Sequence, residues 1–213
     1  MTGPSSLDGP DLRARVKGEI RRRMRQIRGA LPERAWADKS REVCARALEL
    51  DPIRSATTVA AYVPIKREVD PAGVLAAVRA RGGRLALPRV VADDGRLAFH
   101  WIPEGTTLEA GPLGTSEPPI DAPTCETDAI DLVLVPALAV DPRGERIGYG
   151  RGYYDRSLAA LGRAVRVVLA FDFQVIPEVP VTEGDEPVAF VVTDRRVIDC
   201  AASRSGSAGT GGT

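Results

Sequence analysis

The sequence predicts an α/β protein built around a largely parallel sheet. Three observations lead to this class. Short runs of valine, leucine and alanine are closed by proline or glycine, which is typical of strands buried on both faces of a sheet. Segments with the 3.6-residue period of helices separate these runs. The chain has 213 residues, enough for one large domain with a substantial core.

The first part of the chain is predicted to be helical. Residues 1–10 are mainly glycine, proline, serine and aspartate, and we expect them to form a flexible leader. Apolar residues then recur at helical spacing over 12–31, with Asp11 as the expected N-cap. Pro32 suits the first turn of a second helix, which is expected to end at Asp51.

The rest of the domain is predicted to alternate between strands and helices. The expected strands cover 58–63, 85–87, 97–101, 130–135, 165–170 and 188–192, and the expected helices cover 72–81 and 153–161. From residue 201 the composition becomes too polar to pack. We therefore predict one catalytic domain over 11–200 and a disordered tail over 201–213.

Charge and cysteine content exclude several classes of protein. Basic and acidic residues number 29 each, so the molecule has no excess positive charge for nucleic acid or anionic lipid. Cys44, Cys125 and Cys200 are scattered and His100 is the only histidine, which excludes a disulfide framework and a histidine-rich metal site. Neither an export signal nor a run of ~20 apolar residues is present. We expect a cytoplasmic protein without nucleic-acid or membrane partners, and a monomer is the working prediction.

A glycine-rich segment near residue 150 carries the most chemical information. A buried strand ends at Pro136, and Gly148, Gly150 and Gly152 alternate with tyrosine and arginine before a predicted helix. Glycine tolerates positive φ, and N–H groups between a strand and a helix suit phosphate. Neither the P-loop motif nor the dinucleotide motif is present. Alternating glycines also form tight turns without a ligand, so both interpretations stay open.

The first predicted helix is strongly basic. Between residues 13 and 28 it has eight basic residues and one acidic residue, Glu19. Lys17 and Arg21 are four residues apart, so they share a helix face and could bind one polyanion. Such a run is also typical of a solvated face or of nucleic-acid binding, although the overall charge balance disfavours the latter.

Three carboxylates are candidate site residues. Asp155 begins a predicted helix, where it could complement the helix dipole or bind Mg²⁺ beside a phosphate. Asp185 lies in a turn before the last strand and could be a turn residue or a second magnesium ligand. Glu68 follows the strand over 58–63, and ligands of open α/β sheets bind beyond the carboxyl ends of strands. It could contact an amide-rich heterocycle or be an ordinary loop acid.

Two connected motifs resemble a known family. D-L-V-L-V-P-A-L-A-V-D from Asp131, followed by R-I-G-Y-G-R-G-Y-Y-D-R from Arg146, closely resembles the signature of the 5-formyltetrahydrofolate cyclo-ligases. The resemblance covers about residues 15–195 in order and includes Lys17-x-x-x-Arg21 and the turn at Asp185. It implies a single three-layer α/β/α domain. It also implies a ligase that uses ATP and Mg²⁺ to convert 5-formyltetrahydrofolate into 5,10-methenyltetrahydrofolate, releasing ADP and phosphate.

The resemblance further implies a role for each site residue. ATP is expected to contact Lys17, Arg21, Arg146, Ile147, Gly148, Tyr149, Gly150, Arg151, Gly152, Tyr153 and Tyr154. The folate is expected to contact Val63, Glu68, Tyr149, Gly150, Arg151, Gly152 and Tyr153. Mg²⁺ is expected at Asp155 and Asp185, with Arg151 and Tyr154 as catalytic residues. The implied reaction phosphorylates the formyl oxygen before N10 attacks, and phosphoryl transfer depends on positioning and charge neutralisation more than on a protein nucleophile.

Two other function classes remain possible from sequence. One is a nucleotide- or phosphate-sensing module that uses the same glycine-rich segment without turnover, which Glu68 and both aspartates argue against. The other is an RNA-binding protein that uses the arginine helix, which the balanced net charge argues against.

Overall fold

The computed structural model describes residues 10–91 and 95–206, and over these ranges the chain is an α/β protein. The helices are α1 (Pro10–Gly29), α2 (Glu33–Ala47), α3 (Asp51–Ser55), α4 (Ala72–Ala80), α5 (Tyr153–Leu158) and α6 (Cys200–Gly206). The strands are β1 (Thr58–Ala60), β2 (Arg84–Val90), β3 (Leu97–Trp101), β4 (Glu109–Ala110), β5 (Ser116–Glu117), β6 (Thr124–Cys125), β7 (Leu132–Val135), β8 (Ala139–Val140), β9 (Arg146–Ile147), β10 (Val165–Leu169), β11 (Phe190–Val192) and β12 (Val197–Asp199). Short 3₁₀ helices cover Pro112–Gly114, Thr127–Ala129 and Asp172–Gln174.

The main sheet has eight strands in the order β12-β11-β10-β7-β1-β2-β3-β6. The five central strands, from β11 to β2, are parallel. The outer pairings of β12, β3 and β6 are antiparallel. Every residue of β7 is buried, as expected for a strand covered on both faces, whereas β3 is partly exposed. The predicted parallel sheet is therefore confirmed at its centre, and antiparallel strands complete its edges.

Side-chain alternation along β7 divides the core into two parts. Leu132 and Leu134 pack in one cluster with residues of α2 and α4. Val133 and Val135 face the opposite side and pack with Leu158 of α5 and with Cys200 of α6. Successive side chains of a strand point to opposite faces, so helices cover both sides of the sheet. This arrangement confirms the three-layer α/β/α fold.

Helix α1 belongs to neither layer. Its Met24 packs with Leu138, Ile147 and Val179 in a third, smaller cluster. These partners lie on or beside the hairpin formed by β8 and β9. The packing places α1 across the segment that continues from β9 into the glycine-rich stretch.

The connections around β1 and β7 create a crevice. The chain leaves β1 through α4 to reach β2 on one side, and it leaves β7 through α5 to reach β10 on the other. Because β1 and β7 are adjacent and parallel, the two connections diverge at their carboxyl ends. In open α/β sheets such a switch in strand order is where ligands bind.

Several predicted boundaries need correction. The strand expected over 58–63 ends at Ala60, and the helix expected over 153–161 ends at Leu158. Helix α3 (Asp51–Ser55) was not predicted, because five residues are too few to show a helical period. The two-residue strands β4, β5, β6, β8 and β9 escaped prediction for the same reason.

The predicted termini also differ from the structure. A disordered tail from residue 201 is wrong for residues 201–206, which belong to α6. Arg204 of this helix donates to the carbonyl oxygens of Arg143 at 2.6 Å and Val188 at 3.3 Å. Helix α1 begins at Pro10, one residue earlier than the expected cap. The remainder of the predicted leader and tail, 1–9 and 207–213, lies outside the described residues.

Two further observations bear on the class of protein. Within residues 10–91 and 95–206, the helices lack the combination of length and hydrophobicity needed to cross a bilayer. Cys44, Cys125 and Cys200 are free thiols and all three are buried.

The turn between β8 and β9 depends on a glycine. Gly144 has a φ of +89°, and a Cβ atom built there would lie 2.4 Å from the carbonyl oxygen of Val188. We expect Gly144→Ala to lower the free energy of unfolding by about 2–4 kcal/mol, from strain and backbone displacement together. Urea denaturation measures this change. Gly162→Ala is the matched control, since nothing lies within 4 Å of its Cβ position; equal stability of the two variants would contradict the prediction.

Candidate functional site

A cleft of about 550 Å³ lies at the carboxyl ends of β1 and β7. One wall is α1, and another is the glycine-rich segment that follows β9. The cleft is lined by every residue that the sequence predicts for the site: Lys17, Arg21, Val63, Glu68, Arg146, Ile147, Gly148, Tyr149, Gly150, Arg151, Gly152, Tyr153, Tyr154, Asp155 and Asp185.

The glycine-rich segment presents its backbone to the cleft. Gly150 and Gly152 have φ values of +93° and +70°, whereas Gly148 does not use the positive φ that we expected for all three. A Cβ atom at Gly150 would lie 3.3 Å from the guanidinium of Arg21. Within the described residues, the backbone N–H groups of 148–152 have no protein acceptor. They are therefore available to an anion.

The basic face of α1 meets this segment. Arg21 donates from Nε to the carbonyl oxygen of Gly148 at 3.0 Å. Lys17 is only 6% exposed, and its Nζ donates to Thr182 Oγ1 at 2.7 Å and to Asp185 Oδ2 at 2.5 Å. The two cationic segments, distant in the chain, thus lie side by side as predicted.

Each predicted metal ligand is paired with a cation. Arg146 Nη2 lies 2.7 Å from Asp155 Oδ1, and the Arg146 side chain is only 2% exposed. Arg146 Nε is buried and has no hydrogen-bond partner within the part of the chain that the structure describes. At Asp185, burial raises the pKa, but hydrogen bonds from Lys17 and Thr182 outweigh it and leave the pKa below its ordinary value. Asp185 is therefore held as a carboxylate.

These two carboxylates fit Mg²⁺ bound together with a phosphate. Burial lowers the pKa of Arg21, and Arg25 lowers it further. Asp185 and Asp155 each raise this pKa, so both acids act on one guanidinium. The described part of the chain holds no group of three His, Cys, Asp or Glu side chains arranged for a metal. Mg²⁺ usually takes one or two carboxylates and completes its shell with phosphate oxygens and waters.

The other end of the cleft contains a buried acid. Glu68 is 4% exposed, and its Oε2 accepts from the Ile65 N–H at 3.0 Å. Its Oε1 is buried without a hydrogen-bond partner in the described structure. Burial raises the pKa of Glu68 to about 7, although Arg28 acts in the opposite direction. Such an oxygen suits a ligand that brings its own hydrogen-bond donor.

Tyrosines surround this acid. The Tyr149 ring lies near both Arg28 and Lys66, whose charged groups are each 5.6 Å from the ring centroid. The Tyr154 hydroxyl is buried and has no hydrogen-bond partner among the described residues, and burial, then Glu68, raise its pKa above the ordinary value. Tyr154 is thus a neutral phenol available as a donor. Tyr153 also lines the cleft, whereas Trp101 packs beneath Arg84 and does not.

Sequence reasoning missed several cleft or support residues. Lys66 and Glu117 line the cleft, as does Thr182, which binds both Lys17 and Asp185. Arg28 lies behind the cleft and was counted only as part of a basic run. None of these four residues was assigned a role in the site from the sequence.

Comparisons with known proteins identify the family of this chain. The model of the 5-formyltetrahydrofolate cyclo-ligase family matches residues 13–194. The 5-formyltetrahydrofolate cyclo-ligase of Mycolicibacterium smegmatis is 35% identical over 195 residues, covering 86% of this chain and 96% of the relative. The enzyme of the same name from Escherichia coli K12 is 29% identical over 178 residues, covering 82% and 98%.

Solved structures show the same fold. The NMR structure of 5,10-methenyltetrahydrofolate synthetase from Aquifex aeolicus superposes with a TM-score of 0.76 at 29% identity, covering 87% of this chain and 93% of that one. The synthetase from Mycoplasma pneumoniae gives a TM-score of 0.69 at 24% identity, covering 84% and 99%, and supports the fold alone. With the family match over most of its length, the chain belongs to the 5-formyltetrahydrofolate cyclo-ligases, a family of ligases.

Proposed function

We propose that this chain catalyses the ATP- and Mg²⁺-dependent cyclisation of 5-formyltetrahydrofolate to 5,10-methenyltetrahydrofolate, with release of ADP and phosphate. The observation that carries the proposal is one cleft with two chemically distinct ends. One end has cations, unpartnered N–H groups and two paired carboxylates, and the other has the buried Glu68 with an unpartnered oxygen.

The cationic end suits the phosphates of ATP. The backbone N–H groups of 148–152 and the side chains of Lys17, Arg21 and Arg146 supply donors around the same space. Arg151 is exposed, and its guanidinium has no partner among the described residues. Cations that neutralise a transferring phosphoryl group accelerate its transfer, so we assign this role to Arg151.

Asp155 and Asp185 would hold Mg²⁺ at this end of the cleft. When bound, the ion supplies neutralisation of phosphate charge. The existing ion pairs keep the two carboxylates compatible with that task, since Lys17 and Arg146 balance their charge before a ligand arrives.

The acidic end suits the pterin of a folate. A pterin presents adjacent N–H donors on an amide-rich ring, and Glu68 Oε1 is a buried acceptor that lacks a donor. Val63 and Tyr153 line the same cleft and can cover a flat aromatic face. This pairing of donor and acceptor would offset the cost of leaving the Glu68 oxygen unpartnered.

The proposed chemistry needs two steps. A formamide carbon is a poor electrophile, so the formyl oxygen first takes the terminal phosphoryl group of ATP and ADP leaves. N10 then attacks the activated carbon, and the oxygen departs as phosphate. Tyr154 is assigned as a neutral hydrogen-bond donor in this region, because its hydroxyl is buried and unpartnered.

An absorbance assay tests the proposal. Purified protein with 5-formyltetrahydrofolate, ATP and Mg²⁺ should form the methenyl product and release one ADP per product. Omitting ATP or Mg²⁺ should abolish product formation. Nucleotide binding without product would instead favour a sensing module, and would overturn the proposed reaction.

Lys17 provides a test of the ATP end. We expect Lys17→Met to raise the KM for ATP about 10- to 100-fold, because it removes a buried charged donor from the phosphate region. The KM for the folate should change little. Arg22→Met is the control, since Arg22 is exposed on the same helix and pairs with Glu19. Equal effects of the two variants on the KM for ATP would contradict the assignment.

The proposed setting is the cytoplasm, with the protein acting as a monomer. Three buried, unpaired thiols are compatible with a reducing compartment. Activity without nucleic acid or membrane also remains a prediction.

A further inference from the structure

Arg28 lies at the junction of three segments of the site. It belongs to the last turn of α1, and its side chain is 1% exposed. Nε donates to the carbonyl oxygen of Lys66 at 3.0 Å, and Nη1 donates to that of Ala137 at 3.3 Å. Nη2 donates to the Tyr149 hydroxyl, and Nη1 lies 4.0 Å from Glu68 Oε1. One guanidinium thus connects the segments that follow β1, β7 and β9.

The charge of Arg28 has a specific counterpart. Burying a guanidinium is costly, and two backbone carbonyls alone do not require a full positive charge. Within the described residues, Glu68 is the acid that forms an ion pair with it. Arg28 does not itself line the cleft, whereas Glu68 and Tyr149 do. The charge and the N–H donors of Arg28 therefore affect the cleft through Glu68 and Tyr149.

The loop that carries Glu68 needs such support. Lys66 and Arg67 have φ values of +48° and +62°, which is unfavourable for residues with side chains. Side chains from two helices hold the backbone of this loop, since Arg28 donates to the Lys66 carbonyl and Trp36 Nε1 donates to the Glu68 carbonyl at 2.6 Å. A strained backbone persists at functional sites only when the surrounding structure restrains it.

We propose that Arg28 is a positioning residue for the folate end of the cleft. It holds Glu68 and Tyr149 in the orientation that receives the substrate, and it does not itself touch the substrate. This inference rests on the proposed function, because it assigns the pterin to Glu68. Lysine cannot replace Arg28 fully, since a single ammonium lacks the planar set of donors that reaches three acceptors.

The electrostatics around Glu68 agree with the geometry. Burial raises the pKa of Glu68, and Arg28 is the largest influence that lowers it, ahead of the Ile65 N–H, Tyr149 and Lys66. Burial, then Glu68, raise the pKa values of the buried Tyr62 and Tyr154 hydroxyls. Loss of the Arg28 charge should therefore move the titration of Glu68 to higher pH.

The kinetic test compares Arg28→Met and Arg28→Lys with wild type. We expect Arg28→Met to raise the KM for 5-formyltetrahydrofolate about 10- to 100-fold, with a small change in the KM for ATP. Its pH profile for folate kcat/KM should shift to higher pH, whereas Arg28→Lys should keep the profile and show a smaller rise in KM. Arg81→Met is the control, because Arg81 also donates to two carbonyl oxygens, those of Ile53 and Ala56, away from the cleft.

A purely structural role gives a different result. Arg28→Met would then lower the thermal midpoint, as we expect for Arg81→Met, but leave the folate KM and the pH profile unchanged, and the proposal would be overturned. If Arg28→Met does not fold, Arg28→Lys decides, since an unchanged folate KM in that variant also overturns the proposal.

A second measurement does not depend on activity. Carboxyl ¹³C NMR of the unliganded protein, with the signal assigned through Glu68→Gln, should show Glu68 titrating at higher pH in Arg28→Met than in wild type. An unchanged titration would contradict the electrostatic part of the inference. Failure of the wild-type protein to form product would contradict the proposed function instead, so the two failures are distinguishable.

Discussion

Asp155→Asn should lower kcat by about 100- to 1,000-fold while the protein stays folded. The variant removes a negative charge from the phosphate end but keeps an oxygen that can accept from Arg146, which lies 2.7 Å away in the wild type. Asparagine is preferable to alanine here, because alanine would leave the buried Arg146 guanidinium without its acid. The Mg²⁺ concentration for half-maximal activity should also rise, as a weaker ligand set requires.

The matched control is Asp172→Asn. Asp172 also pairs with an arginine, at 2.9 Å from Arg196 Nε, but it does not line the cleft. We expect near-normal kcat in this variant. Circular dichroism and urea denaturation would show that both proteins are folded. A normal kcat and an unchanged Mg²⁺ requirement in Asp155→Asn would remove Asp155 from the proposed metal site.

Glu68→Gln should reduce kcat/KM for the folate by at least about 100-fold, mainly through KM. The carboxylate can accept hydrogen bonds from two N–H groups of a pterin edge. The glutamine side chain can accept only one of them, because its NH₂ group is a donor and would face the other N–H group. In the wild type, kcat/KM should rise as pH increases through about 7, where Glu68 becomes a carboxylate. The Glu68→Gln profile should lack this rise, and a rise that persists in the variant would contradict the assignment.

Glu68 also predicts how stability depends on pH. The folded-state pKa is raised from 4.5 to about 7, so the unfolded chain loses the proton first as pH increases. Wild-type stability relative to Glu68→Gln should therefore fall by about 3 kcal/mol between pH 4.5 and 7 and then stay constant. Urea denaturation at several pH values measures this difference.

Glu145→Gln separates binding from stability. Burial also raises the pKa of Glu145, which does not line the cleft. Like Glu68→Gln, Glu145→Gln should remove part of the fall in stability that the wild type shows as pH rises. The KM for the folate should stay near the wild-type value. A large rise in that KM would show that buried acids affect substrate binding through general changes in the fold.

Much of the architecture was predictable because the central strands are unambiguous. The run Leu132–Val135 is apolar at every position, which only a strand covered on both faces allows. The peripheral strands were harder to predict. Strand β6 at one edge of the main sheet and the separate pair β4 and β5 contain two residues each and leave no periodic signal. Helix α6 was missed because its small and polar residues lack an apolar face.

The candidate site was predictable where its residues form a contiguous motif. The segment from Arg146 to Asp155 resembles a known signature, and that likeness also identified Lys17, Glu68 and Asp185. Arg28 could not be recognised in this way, because its role depends on contacts with residues as distant as Tyr149, 121 positions along the chain. The positive φ values of Lys66 and Arg67 likewise could not be predicted from the amino-acid composition of the loop.

The position of α1 has a consequence for the order in which the protein matures on the ribosome. This helix is translated before every strand of the sheet, yet the apolar residues that bury its Met24 are translated only after five of the eight strands of the main sheet. Until then its arginines remain hydrated and its one apolar stripe has no cover. A nascent chain can therefore contain five of the eight strands of the main sheet before the residues that cover α1 exist, and the cleft takes shape only when α1 packs against them.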